Sequence, residues 1–245
     1  RWIREARYGA FYTPMQAISD AEDVLSVNFF DYNAVIIDGY QGADPNGFQG
    51  IAEDVLLALN TRGDDLIEFV NSGGGLMAFN EHWVTPESWA WLPERLEMAT
   101  HGPHTSGNAI LPTNELLAMA PAVTSDYFRN QRFNTSFIMP TNVNGLEILA
   151  FHDHKDKDTD LRNGVYDPGE HVRAIGGLNV VMESTAPITG GPVYLSSTMA
   201  SSVGECPSTA CHDLHKEILT SMLNESEEPP HRRLLWIKQP GSYTT

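Results

Sequence analysis

Cysteine is scarce. The chain has two in 245 residues, so at most one disulfide can form within it. Basic residues are also few, with 15 Lys and Arg against 32 Asp and Glu and a formal net charge of −17. Such a surface repels nucleic acid and anionic membrane, and neither is expected as a partner. Long hydrophobic runs are missing too. None approaches the roughly 20 residues needed to cross a bilayer, so no membrane insertion is expected. The chain opens at Arg1 without a methionine or a basic-then-apolar leader, which suits a processed secreted protein or a domain of a larger one. What the sequence does have is a core's worth of apolar residues, at 41%. That is enough for one large α/β domain.

Helix and strand patterns alternate along the chain. "YGAFYT" reads as a first short strand, and "ISDAEDVLS" as a helix capped by Ser19 with Glu22 three residues on. "NAVIIDGY" and "GLMAFN" are continuous apolar runs ending in polar residues, as strands buried on both faces are. Between them, "GIAEDVLLALNTRGDDLIEFVNSGGG" predicts two helices broken near Arg62 and Gly63 and stopped by three glycines. The middle is less regular, with short helices expected around Trp89 to Leu92 and Asn114 to Met119. "LEILAFH" and "HVRAIGG" predict strands flanking an acidic stretch. "LNVVMES" and "GPVYLSSTMA" predict a strand pair turning at Thr189 to Gly191. "CHDLHKEILTSMLN" predicts a helix with Leu214, Ile218, Met222 and Leu223 inward. The domain is expected over residues 1–224, with a tail at 225–245 whose apolar Leu234 to Ile237 packs back on it. The fold class is therefore α/β, a mostly parallel, flavodoxin-like sheet flanked by helices.

The segments "YNAVIIDGYQ", "LIEFVNSGGGLMAFNEHW" and "VVMES", then "GGPVYLSSTMAS" and "HKEILTSML", resemble the class I glutamine amidotransferase-like superfamily and its trehalose-utilisation-like (ThuA-like) branch. The likeness covers about residues 8–224. In catalytic members of that superfamily the strand after the Gly-rich turn ends in an elbow carrying a nucleophilic cysteine. Here Asn80, Glu81 and His82 occupy that place. With no thiol or hydroxyl there, glutaminase chemistry is not expected. Ligands in open α/β sheets collect beyond the carboxyl ends of strands, where Asp38, Asn80, Glu81 and His82 would gather. Glu81 or His82, helped by His101 or His104, could serve as general acid or base. The plainer alternative is that these residues cap helices. Trp83, Trp89 and Trp91 could form a sugar platform or pack as loop aromatics.

The sharpest local pattern is "DKDTDLRNGVYDPGE", Asp156 to Glu170, inside a loop expected over residues 153–170. Five acidic side chains alternate with an Asn-Gly and a Pro-Gly. Calcium loops place oxygen ligands at alternate positions, a glycine at the turn and a bidentate carboxylate at the end. Asp156, Asp158, Asp160, Asn163, Asp167 and Glu170 fit that scheme, with Asp158 first and Gly164 turning. The spacing is longer than in an EF-hand and resembles extracellular loops of the dockerin or thrombospondin type 3 kind. So many carboxylates repel one another without a cation, and calcium's 6 to 8 oxygen ligands suit them better than magnesium's small hydrated shell. A disordered acidic excursion, partly neutralised by Lys155, Lys157 and Arg162, is the alternative.

"CPSTACH" supports two readings. Cys206 and Cys211 can close a local disulfide, or the segment can be the CX4CH form of a haem c attachment site with His212 as axial ligand. Either places the protein outside the cytosol. Two sequons, at Asn134 and Asn224, decide nothing about the source. The expectation is a secreted, extracellular or periplasmic, calcium-stabilised module, leaning non-catalytic and able to join a larger extracellular assembly, with an unknown protein or carbohydrate partner. The alternatives are a ThuA-like carbohydrate-active or sugar-binding protein at Asn80 to His82 and a single-haem electron carrier.

Overall fold

The computed structural model describes residues 7–8, 11–12, 15–39, 50–79, 89–92, 98–100, 105–106, 110–124, 132–133, 136–138, 146–153, 164–182, 190–197, 209–225 and 233–238. The chain opens with a small antiparallel pair, β1 (Arg7–Tyr8) and β2 (Phe11–Tyr12). Then come β3 (Met15–Ile18), α1 (Ala21–Ser26), β4 (Ala34–Ile37), α2 (Glu53–Thr61), α3 (Gly63–Asn71) and β5 (Gly75–Phe79). The middle holds β6 (Met98–Thr100), β7 (Thr105–Ser106), β8 (Ile110–Pro112), α4 (Asn114–Met119), β9 (Arg132–Phe133) and β10 (Ser136–Ile138). The last third holds β11 (Glu147–His152), β12 (His171–Val180), β13 (Gly191–Ser196), α5 (Thr209–Glu225) and β14 (Leu234–Ile237).

Five strands run parallel in the order β3-β14-β4-β5-β13. Beyond β13 the sheet turns antiparallel: β12 pairs with β13, β11 and β10, with β8 next to β11 and β6 next to β10. The four inner parallel strands, β14, β4, β5 and β13, are buried on both faces because both are covered, whereas the edge strand β3 exposes Gln16 and Ala17. Alternation sends Val35, Ile37, Leu76, Ala78, Val193 and Leu195 to one core, with Val24 of α1, Val55 and Leu59 of α2 and Leu66 and Phe69 of α3. Ala34, Ile36, Met77, Phe79, Tyr194 and Trp236 face the other, with Leu116 and Met119 of α4 and Ile218, Leu219, Met222 and Leu223 of α5. The step from β4 to β5 and the return from β13 to β14 thus place their helices on opposite faces, as crossovers of one hand require.

Local chemistry sets the joints. Asp20, not the expected Ser19, caps α1: its carboxylate accepts the Asp23 N–H at 2.8 Å. An Asp next to the helix makes the shorter reach. At the other end of α1, Arg62 donates to the carbonyls of Val24, Leu25 and Val27 at 2.8 to 2.9 Å, lies over the Phe29 ring and pairs with Asp65. It thereby satisfies carbonyls that the helix leaves open. Asn71, at the end of α3, exchanges two hydrogen bonds with the backbone of Met182, tying α3 to the end of β12.

Two expectations change. "HVRAIGG" and "LNV" form a single ten-residue strand, β12, because Gly176 and Gly177 sit in the ladder opposite Tyr194 and Val193 and let β13 come close instead of breaking the strand. "YGAFYT" is a separate hairpin, and the first strand of the main sheet is the weakly apolar "MQAI" of β3. The apolar patch of the tail does return to the domain. As β14 it lies between β3 and β4 inside the sheet.

Candidate functional site

The acidic loop grows from neighbouring strands. β11 and β12 pair antiparallel, and their last matched residues are His152 and His171. Asp153 and Glu170 follow at once at the loop's two roots, only 3% and 6% exposed. Asp153 Oδ2 accepts the N–H of Gly164 at 3.0 Å, and Gly164 has φ of +78°, a conformation that favours glycine. Oδ1 of Asp153 is buried and meets no hydrogen-bond donor among the described residues. On the second root, Glu170 Oε2 accepts the Asp167 N–H at 2.7 Å while the Glu170 N–H donates to the Asp167 carbonyl at 3.1 Å. The Asp167 side chain is exposed. Tyr166 packs its ring on Phe151 at 5.7 Å, and burial, then the Glu170 charge, pushes its phenol above the ordinary value.

Of the predicted ligands, Asp167 and Glu170 therefore sit at one loop root with Gly164 nearby in sequence. Asp156, Asp158, Asp160 and Asn163 lie outside the described residues. Among the described residues no group of three or more His, Cys, Asp and Glu is gathered as a metal set. Asp153 was missed by the ligand pattern. Its signal was position, an acidic residue directly after the apolar run "LEILAFH", where a strand hands over to the loop.

Around this mouth the polar interior is one-sided. Ten polar or charged side chains are buried among the described residues. All but Asn71 lie at the carboxyl ends of the parallel strands or on elements packed beside them. Asp38, directly after β4, accepts the Trp236 indole N–H at 3.1 Å, and its own N–H donates to the Ile237 carbonyl. At the end of β5 the Phe79 ring meets the fully buried His215 of α5 edge-on, centroids 5.0 Å apart. Ser196 and Ser197, closing β13, both donate to the Arg173 carbonyl. Because β12 runs opposite to β13 and Ala174 pairs with Ser196, Arg173 and His171 belong to the same edge. Register shifts between β11 and β12 leave Arg173 as an extra residue between the paired Val172 and Ala174. Arg173 is 2% exposed, and burial lowers its guanidinium to about 10. The rings of His152 and His171 stack at 6.2 Å.

Asn80, Glu81 and His82, which follow β5 in the sequence, lie outside the described residues, as do His101, His104 and Trp83. Trp89 and Trp91 are only 1% and 3% exposed and pack together, centroids 5.9 Å apart, in the core against α2 and α3. A sugar platform from those two indoles is therefore ruled out: a buried ring face has no room for a ligand. Cys206 lies outside the described residues. Cys211 and His212 fall in the first turn of α5, which starts at Thr209. No helix among the described residues is long and apolar enough to cross a membrane.

No protein-family model matches the chain, and no curated protein or solved structure matches it significantly.

Proposed function

We propose that the chain is a secreted, calcium-stabilised binding module on an amidotransferase-like scaffold, with the cation held by the 153–170 loop. The observation that carries this reading is the construction of the loop mouth. Two buried carboxylates, Asp153 and Glu170, stand at the roots of a loop that adds Asp156, Asp158, Asp160, Asn163 and Asp167. Each is already bonded to loop backbone, at Gly164 and at Asp167. The acidic side chains that the sequence crowds into this one loop repel each other, and a hard divalent cation with many oxygen ligands removes that repulsion while ordering the loop. A Kd of about 10⁻⁴ to 10⁻³ M is typical of extracellular modules. Isothermal titration of the metal-free protein with calcium tests it. Saturable 1:1 heat that magnesium does not reproduce supports the reading, and no heat at millimolar calcium rejects it.

A second reading has its own support. The crowding of Asp38, Ser196, Ser197, Arg173, His171 and His215 at the carboxyl edge is what a small-molecule site of an α/β sheet needs. It favours a ThuA-like carbohydrate ligand or substrate taken beside Asn80 to His82, with no glutaminase activity. Binding on a glycan array, abolished by Glu81→Ala, separates it from a purely structural module. The haem reading of Cys206, Cys211 and His212 predicts a Soret band that the disulfide reading does not.

A further inference from the structure

We infer that Asp153 is itself a ligand of the loop's cation, through Oδ1, while Oδ2 holds the turn glycine. The inference rests on the calcium reading of the loop and moves its first ligand from Asp158 to Asp153. Asp153 is 3% exposed, and Oδ1 is buried with no hydrogen-bond donor among the described residues. Its partner oxygen accepts the N–H of Gly164, eleven residues on, at 3.0 Å. The carboxylate is thus pressed against the turn of the acidic loop, and its second oxygen is left without the donor that a buried anion requires. A cation at Oδ1 supplies that missing charge.

The sheet makes the position useful. Asp153 continues β11 beyond the pair His152 and His171, and Glu170 leads into β12 from the other side. Glu170 is 6% exposed, with Oε2 on the Asp167 N–H. A divalent ion shared by these two roots clamps β11 to β12 at the end where His171 and Arg173 enter the carboxyl edge. Neutralising Asp153 therefore removes one of the ligands fixed by the sheet, whereas neutralising Asp160 removes one carried by the loop alone.

Calcium calorimetry and terbium luminescence, sensitised by Tyr166 beside Glu170, read the site on the full chain. Two variants are compared with wild type, Asp153→Asn and Asp160→Asn. Asn keeps the size of Asp153 and an acceptor for Gly164. The expected result is calcium binding by wild type, weakened about 10-fold or more in Asp153→Asn, with terbium emission falling in parallel. In excess chelator Asp153→Asn is expected to melt at or above the wild-type temperature, because no buried carboxylate then waits for a cation. Wild-type affinity in Asp153→Asn together with a loss in Asp160→Asn overturns the role of Asp153 and leaves the loop reading standing. A wild type that binds no calcium overturns both. An Asp153→Asn protein that melts below wild type in chelator shows a structural hydrogen-bonding role and overturns the inference as well.

Discussion

Tyr194 shows how burial at one position becomes a measurable property. Its phenol is fully buried on β13, and that burial, only partly offset by the Ser196 hydroxyl, pushes it up to about 12. The unfolded chain releases this proton near the ordinary value of 10.0, so the folded state holds it longer. A raised acid stabilises the fold fully below the unfolded value and loses that contribution as pH climbs through the folded one. The contribution of Tyr194 should vanish between pH 10 and about 12, by roughly 3 kcal/mol. Arg173, lowered to about 10 by burial, acts in the opposite sense over much of that range, so the readout is a difference. Urea unfolding of wild type and Tyr194→Phe from pH 9 to 12 should show the variant gaining relative stability with pH. Parallel curves would contradict the assignment. At this scale the sequence was legible where a residue type has one physical use: Gly164 turns as its Asn-Gly context implied. It was not legible where two neighbours compete. Ser19 and Asp20 both cap helices well, and only the backbone geometry selected Asp20. Asp153 escaped because an acidic residue after an apolar run looks like a strand end until its burial is seen.

Elements were legible where apolar periodicity was strong. β4, β5, α2, α3, α4 and the pairing of β12 with β13 follow the patterns read from the sequence. β3 was missed because "MQAI" buries only Ile18 fully and carries little apolar signal. β12 was read as two strands because Gly176 and Gly177 look like breakers. Their actual use is close approach: a Cβ on Gly176 would stand 1.8 Å from the Val193 carbonyl oxygen, and Gly176 has φ of +155°. The contact is with backbone, so no side-chain rotation relieves it. Gly176→Ala should open the β12–β13 ladder beside the loop's second strand and cost about 3 kcal/mol or more. Thermal unfolding checks it, and a loss below 1 kcal/mol would mean that the ladder yields locally.

For the whole molecule, the last strand decides how much chain the fold needs. Leu234, Leu235 and Ile237 are fully buried and Trp236 nearly so, and β14 bonds to β3 on one side and β4 on the other. Burying four such side chains is worth roughly 8 kcal/mol, comparable with the 5 to 15 kcal/mol that holds a typical domain together. Truncation after residue 232 should therefore give a chain without a cooperative melt, and a native-like transition in the truncated protein would show β14 to be dispensable. Order in the sheet was foreseeable only in part. Periodicity marks Leu234 to Ile237 as apolar, but nothing local says that a strand after a charged Pro-Pro stretch inserts between β3 and β4. The same limit applies at the carboxyl edge, where Asp38, Arg173, Ser196 and His215 come from four separate elements. On the proposed reading, calcium at the Asp153 to Glu170 loop stabilises this sheet. Calorimetric melting of the full chain in saturating calcium and in excess chelator tests it most directly. A ligand that binds only the native state at about 100 times its Kd adds about 2.7 kcal/mol, so the predicted result is a melting temperature several degrees higher with calcium and restored after chelation is reversed. Superimposable transitions in the two conditions would contradict it.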